Sequence, residues 1–209
     1  CATPMVREGE KPSRVEATDS PDVVLCRTNA VAVRNVLDAI AANRSVHLVG
    51  GGREVVDFAK AADNLKNRGW TEHPELACFS TWNEVQDYVS QDEQGGDLRL
   101  MVKLIDEFGV EVILEALGNM PSEADADLVV STAHKSKGRE WDSVQLADDF
   151  PADPKAEELR LIYVACTRAK LVLDVSAAGE FFGALGTNHA ATAAVDETPA
   201  PEWDGTPGT

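Results

Sequence analysis

The sequence predicts an α/β fold in which a parallel β-sheet is flanked by helices and interrupted by a small helical insertion. Short apolar runs rich in valine, at residues 22–26 and 46–49, are typical of buried strands. Apolar residues at helical spacing separate these runs, and a β-α-β order favours parallel strands joined by a crossover helix. Between residues 53 and 124 the spacing is helical only, which predicts the insertion.

The remaining elements follow in order along the chain. Thr28 or Asn29 can cap the first helix, whose apolar residues lie within 30–42. Three glycines end the second strand, and Trp70, Phe79 and Trp82 are expected to hold the inserted helices together. The later elements are helices at about 53–68, 81–93, 95–107 and 110–118, strands at 126–132 and 143–146, a helix at 157–168, and a strand at 171–175.

These elements divide the chain into four parts. Residues 1–20 form a polar, proline-containing linker, and residues 21–49 together with 125–178 form the sheet domain. Residues 50–124 form the helical insertion. Residues 179–209 are rich in alanine, threonine and proline with several acids, so we expect a largely disordered tail.

Composition restricts the kinds of function that the chain can have. Its 209 residues carry a net charge of −17, so a nucleic acid would have to meet a local basic strip rather than the whole surface. The four cysteines have no CxxC spacing, and we expect neither a metal site nor a disulfide scaffold. Scattered thiols suit a reducing cytoplasm, and no apolar run is long enough to predict a membrane span. The chain begins at a cysteine, and we expect it to be part of a longer polypeptide.

Two blocks place cations, small residues and carboxylates beside strand ends and helices, where α/β proteins bind phosphates. Residues 131–142 read Ser-Thr-Ala-His-Lys-Ser-Lys-Gly-Arg-Glu-Trp-Asp, and residues 157–170 read Glu-Glu-Leu-Arg-Leu-Ile-Tyr-Val-Ala-Cys-Thr-Arg-Ala-Lys. A third block, residues 25–30, reads Leu-Cys-Arg-Thr-Asn-Ala at the end of the first strand. In this order the three blocks resemble motifs IV, V and VI of UvrD/Rep-type superfamily 1 DNA helicases.

The resemblance implies an architecture as well as motifs. In these helicases the second RecA-like domain, a P-loop NTPase-type domain called 2A, is interrupted by a helical domain called 2B. The chain is similar to this C-terminal 2A/2B portion. The Asp-Asp-Phe segment at residues 148–150, together with the compact insertion, looks closest to the F-box DNA helicase branch.

The resemblance also implies roles for particular residues. Arg27 matches the motif IV arginine that contacts the γ-phosphate of ATP, and Arg168 matches the motif VI arginine finger. Gly138 offers a close backbone approach to the nucleotide, and Glu140 is expected to bond the ribose hydroxyl.

In motif V, Thr132, His134 and Lys135 lie where the family touches the backbone of single-stranded DNA. His134 also has a purely structural interpretation, and Lys135 is equally consistent with a solvated basic face. Cys26 departs from the family, because many relatives carry there an aromatic residue that stacks on adenine.

No GxxxxGK[ST] loop occurs in the sequence, so the half of the site that grips ATP and Mg²⁺ is expected on an upstream RecA-like 1A domain of the same polypeptide. The leading hypothesis is the C-terminal motor portion of an ATP-dependent DNA helicase, inactive alone. One alternative is a stand-alone, non-catalytic helicase-like module that binds DNA or protein. Another is a helicase–nuclease subunit, although the tail shows no cluster of nuclease-type residues.

Overall fold

A six-stranded parallel sheet lies at the centre of the computed structural model, which describes residues 13–91 and 96–183. The strands are β1 (Arg14–Val15), β2 (Val23–Cys26), β3 (Val46–Leu48), β4 (Leu128–Thr132), β5 (Trp141–Leu146) and β6 (Ala169–Asp174). Their order across the sheet is β1-β6-β5-β2-β4-β3, and every neighbouring pair is parallel. The predicted fold class is therefore confirmed.

Within residues 13–91 and 96–178, six α-helices accompany the sheet at bounds close to the predicted ones. They are α1 (Asn29–Ala41), α2 (Arg53–Arg68), α3 (Trp82–Gln91), α4 (Gly96–Phe108), α5 (Val110–Gly118) and α6 (Ala156–Cys166). Thr28 is the residue that caps α1, because its hydroxyl accepts a hydrogen bond from the Val31 backbone N–H. Across residues 13–91 and 96–183, none of the helices combines the length and apolarity needed to cross a membrane. The cytoplasmic location stays a prediction.

Both faces of the sheet are buried, which explains the uninterrupted apolar run of β2. Val23 and Leu25 point to one face, and Val24 and Cys26 point to the other. The first face packs against α6, whereas the second packs against α1. Two hydrophobic cores therefore lie on opposite sides of one sheet.

The helices between residues 53 and 118 share a core with α1. Phe58 of α2, Val85 of α3, Ile105 of α4 and Ile113 of α5 are buried in the same cluster as Val36 of α1. The helical segment therefore packs on the α1 side of the sheet. The boundaries of the four-part division stay predictions.

The structure differs from the sequence-based expectation at both ends of the described chain. Within the predicted linker, Arg14 and Val15 form β1 and pair with β6, a two-residue edge strand too short to show a period. Residues 1–12 lie outside the described residues. In the predicted tail, residues 179–183 are helical. Phe181 is buried in the hydrophobic core on the α6 side of the sheet. Residues 184–209 also lie outside the described part, so the predicted disorder there stays a prediction.

Candidate nucleotide and DNA site

The carboxyl ends of the parallel strands gather the polar residues that follow them at one edge of the sheet. Arg27 follows β2, the three glycines at 50–52 follow β3, His134 and Lys135 follow β4, and Asp149 lies beyond β5. In open α/β sheets this carboxyl edge is where ligands bind. The sequence-predicted residues Arg27, His134 and Lys135 are therefore brought to one edge, together with Thr132 at the end of β4.

The backbone of the Arg27 loop is held by the carboxylate of Asp149. One oxygen accepts from the Arg27 N–H at 2.9 Å, and the other accepts from the Thr28 N–H at 2.8 Å and the Thr28 hydroxyl at 2.9 Å. Asp149 lies more than a hundred residues away along the chain, yet it fixes the turn from β2 into α1. Burial raises the pKa of Asp149, and the hydrogen bonds from Arg27 and Thr28 only partly oppose that effect.

The Arg27 side chain is held by two further carboxylates. Its Nε donates to both carboxylate oxygens of Glu158 at 3.0 Å, and its Nη2 donates to Oε1 at 2.8 Å. Its Nη1 lies 3.5 Å from Oδ1 of Asp97, at the start of α4. The hydrogen bond with Glu158 is the largest of the effects that raise the pKa of Arg27, so the group stays charged.

The three predicted DNA contacts differ in exposure. Thr132 is buried, and its hydroxyl accepts weakly from the Lys135 N–H at 3.4 Å. His134 is exposed. The Lys135 side chain crosses Gly50, where a Cβ would lie 3.3 Å from Cδ of the lysine, and its Nζ donates to the Asn29 side chain at 3.0 Å. Gly50 thus leaves room for the lysine stem at the carboxyl edge.

Arg168 lies at the opposite, amino edge of the sheet, because it immediately precedes β6. Its carbonyl accepts from the N–H of Trp141, the first residue of β5. Leu25 pairs with Leu146 at the far end of β5. The backbones of Arg27 and Arg168 are therefore separated by at least the length of β5, about 16 Å.

The guanidinium of Arg168 donates three hydrogen bonds to neighbouring groups. Nε donates to the Val164 carbonyl at 2.9 Å, Nη1 to the Arg139 carbonyl at 3.1 Å, and Nη2 to the Thr167 hydroxyl at 3.0 Å. In this chain Arg168 ties the end of α6 to the loop before β5, and its expected contact with the phosphates of ATP stays a prediction.

The predicted nucleotide contacts Gly138 and Glu140 lie in that same loop, at the amino edge. Both are exposed, and Gly138 has a φ of 81°, which favours glycine. The neighbouring Arg139, whose role the sequence did not reveal, forms an ion pair with Glu123 at 2.6 Å. The structure therefore brings Gly138 and Glu140 together with Arg168, not with Arg27.

Sequence reasoning passed over Arg160, which lies on the outer face of α6. Leu161, Ile162 and Ala165 are buried against the sheet, so helical geometry turns Arg160 and Tyr163 outward. Tyr163 is 69% exposed. Within the described part of the chain, the Arg160 side chain forms no hydrogen bond and no ion pair. The helical phase of α6 is the signal that would have found it.

Among residues 13–91 and 96–183, no group of three or more histidine, cysteine, aspartate and glutamate side chains is arranged to hold a metal ion. The free thiol of Cys26 is buried, and burial followed by the nearby charges of Asp149 and Asp148 raises its pKa well above the usual range. Cys26 is therefore a neutral core residue at the base of the Arg27 turn.

The chain is similar in sequence to a known domain family and to two known proteins. The family model for the UvrD-like helicase C-terminal domain matches residues 127–173, which include β4, β5 and α6. F-box DNA helicase protein 1 of Schizosaccharomyces pombe is 29% identical over 177 residues, which cover 72% of this chain and 20% of that protein. F-box DNA helicase 1 of Gallus gallus is 32% identical over 127 residues, which cover 50% of this chain and 12% of that protein. The chain thus spans about a fifth or less of these relatives.

Proposed function

We propose that this chain, which resembles the C-terminal portion of UvrD-type superfamily 1 helicases, supplies one wall of the ATP site in a longer, ATP-dependent DNA helicase. The observation that carries the proposal is Arg27. It sits at the carboxyl edge, its backbone is fixed by Asp149, and its side chain is still partly exposed to solvent. A fixed, charged fork of this kind suits the stabilisation of a transferring phosphoryl group.

In this proposal an upstream RecA-like 1A domain holds most of the ATP and its Mg²⁺, since the chain carries no P-loop. When the two domains close, Arg27 meets the phosphates. Arg160 is the better candidate for a second phosphate contact than Arg168, because it is exposed and has no described partner to give up. The chain alone is expected not to hydrolyse ATP.

Gly138 and Glu140 keep their proposed contact with the nucleotide ribose, and Arg168 becomes the residue that positions them. The bond from Arg168 Nη1 to the Arg139 carbonyl holds the backbone between them against the end of α6. A loop held in this way presents the exposed Glu140 carboxylate as an acceptor in a defined place.

Single-stranded DNA is the proposed partner at the carboxyl edge. His134 is exposed there and Lys135 is half-buried, while the Thr132 hydroxyl supports the turn between them. An imidazole and an ammonium beside a hydroxyl suit contacts to the phosphate backbone, which position a strand without reading its sequence. Because Lys135 and His134 would replace counterions at the phosphates, such binding should weaken as the salt concentration rises.

The decisive experiment measures DNA-stimulated ATP hydrolysis by the polypeptide that joins this chain to its upstream P-loop domain. We expect Arg27→Ala to lower the turnover rate by about 10³-fold while DNA binding changes little. Arg14→Ala, on the edge strand β1, removes an equal charge and should leave the rate unchanged. Normal hydrolysis by Arg27→Ala would overturn the proposal. A chain that binds DNA in a protein lacking any P-loop domain would instead favour the non-catalytic module.

A further inference from the structure

The two carboxylates around the Arg27 guanidinium approach it from different sides. Glu158 takes the side formed by Nε and Nη2, through three contacts of 2.8 to 3.0 Å. Asp97 approaches Nη1 alone, at 3.5 Å. An arginine has five N–H donors in a rigid fork, so the Nη1–Nη2 end is left with donors that Glu158 does not use.

The two carboxylates also differ in exposure. The Glu158 side chain is 19% exposed and the Arg27 side chain 32% exposed, whereas Asp97 is 79% exposed. A short, forked, partly buried pair is strong and geometrically defined. A longer, exposed pair contributes little and is screened by salt. Any anion that reaches the Nη1–Nη2 end therefore competes with Asp97 and not with Glu158.

We propose that these carboxylates have opposite effects on phosphate binding at Arg27: Glu158 is a positioning residue that aims the guanidinium, and Asp97 is a counterion that an incoming phosphoryl group displaces. This inference rests on the proposed role of Arg27 in contacting ATP. The ligand class is a di- or triphosphate, whose oxygens match the end-on edge of the fork.

The proposal gives the helical segment a part in the nucleotide site. Asp97 belongs to the first turn of α4, and α4 is anchored to α1 by an ion pair of 2.6 Å between Arg34 and Glu107. Leu104 and Ile105 of α4 are buried in the core shared with α1. A fixed α4 keeps the Asp97 carboxylate near Arg27, so the segment that interrupts the sheet adjusts how easily phosphate binds.

The test is a calorimetric titration of this chain with inorganic pyrophosphate at low ionic strength. We expect Asp97→Asn to tighten binding about two- to fivefold, because the competing anion is removed. Glu158→Gln should weaken binding about tenfold, because the charged partner that orients the fork is lost. Glu158→Asp keeps the charge and should recover part of that loss.

The matched control is Asp87→Asn, which removes the same charge from an exposed position on α3 and should change affinity less than twofold. A second measurement follows proton exchange at Arg27 Nε by NMR. Glu158→Gln should accelerate this exchange, and Asp97→Asn should leave it unchanged, since Asp97 does not contact Nε.

Each outcome separates the inference from the proposed function. If Arg27→Ala weakens pyrophosphate binding but Asp97→Asn behaves like Asp87→Asn, the inference fails and the role of Arg27 stands. Tighter binding by Glu158→Gln would also overturn the inference, because Glu158 would then be a second competitor. If Arg27→Ala leaves the affinity unchanged, both the inference and the assignment of Arg27 to phosphate fall.

Discussion

Arg27 and Arg168 carry the same guanidinium at opposite edges of one sheet, but they bond to different kinds of acceptor. Arg27 is held by the carboxylates of Glu158 and Asp97. Arg168 donates to the neutral carbonyls of Val164 and Arg139. The carboxyl edge thus holds an arginine among anions, and the amino edge holds one among backbone acceptors.

The difference determines what each arginine can do. A guanidinium that pairs with an exposed carboxylate can exchange it for a phosphate, because one anion replaces another. A guanidinium bonded to backbone carbonyls leaves each of them with one donor fewer when it moves away. Identical side chains are therefore a candidate ligand contact at one edge and a structural tie at the other.

Replacing Arg168 should have the largest effect on stability. Arg168→Ala removes bonds to two carbonyls and one hydroxyl, and we expect the free energy of unfolding to fall by about 2 kcal/mol. Arg168→Lys should recover less than half, because one ammonium cannot reach three separated acceptors. Urea unfolding followed by circular dichroism measures both variants. Full stability in the Lys variant would show that charge alone matters there.

Replacing Arg27 should cost less stability, because the backbone of its turn is held independently of its side chain. We expect Arg27→Ala to lower the free energy of unfolding by about 1 kcal/mol or less, since Asp149 keeps its bonds to the two backbone N–H groups. The amide resonance of Thr28 should stay in place in an NMR spectrum. A loss as large as that of Arg168→Ala would remove the contrast between the two edges.

The fold was predictable because hydrophobic patterns report local structure. The run at β2 has both faces buried, and the alternation of helices and strands favours parallel pairing. Trp70 shows the limit of such reasoning. It was expected to hold the inserted helices together, yet α2 ends at Arg68, its C-cap Gly69 has a φ of 73°, and Trp70 beyond it is 57% exposed. The spacing of apolar residues predicts a helix, but it does not determine the direction in which the chain continues after the helix ends.

The placement of the candidate residues was predictable at the carboxyl edge and less so elsewhere. Arg27 follows a strand, so its edge could be inferred; Arg168 precedes one, and the same rule would have placed it at the amino edge. The partner of Arg27 was not predictable. Glu158 lies 131 residues away, and its contact depends on the packing of α6 against the sheet.

The smallest expected effect is a pH dependence confined to the carboxyl edge, because Asp149 titrates and carbonyls do not. The pKa of Asp149 is raised in the folded state by burial, so the folded state binds its proton more tightly than the unfolded state. The contribution of Asp149 to stability therefore falls as pH rises from the ordinary aspartate range through the raised pKa, with a slope below about 1.4 kcal/mol per pH unit. Asp149→Asn lacks this slope.

The difference in free energy of unfolding between the natural chain and Asp149→Asn should accordingly become smaller as pH rises through that range. Its advantage over Arg168→Ala should stay constant, since the acceptors of Arg168 do not change protonation. Unfolding curves for the three proteins across the acidic range measure both differences. If the difference in free energy of unfolding between the natural chain and Asp149→Asn does not change with pH, protonation of Asp149 does not affect the stability of the Arg27 turn. The two edges would then not differ in their response to pH.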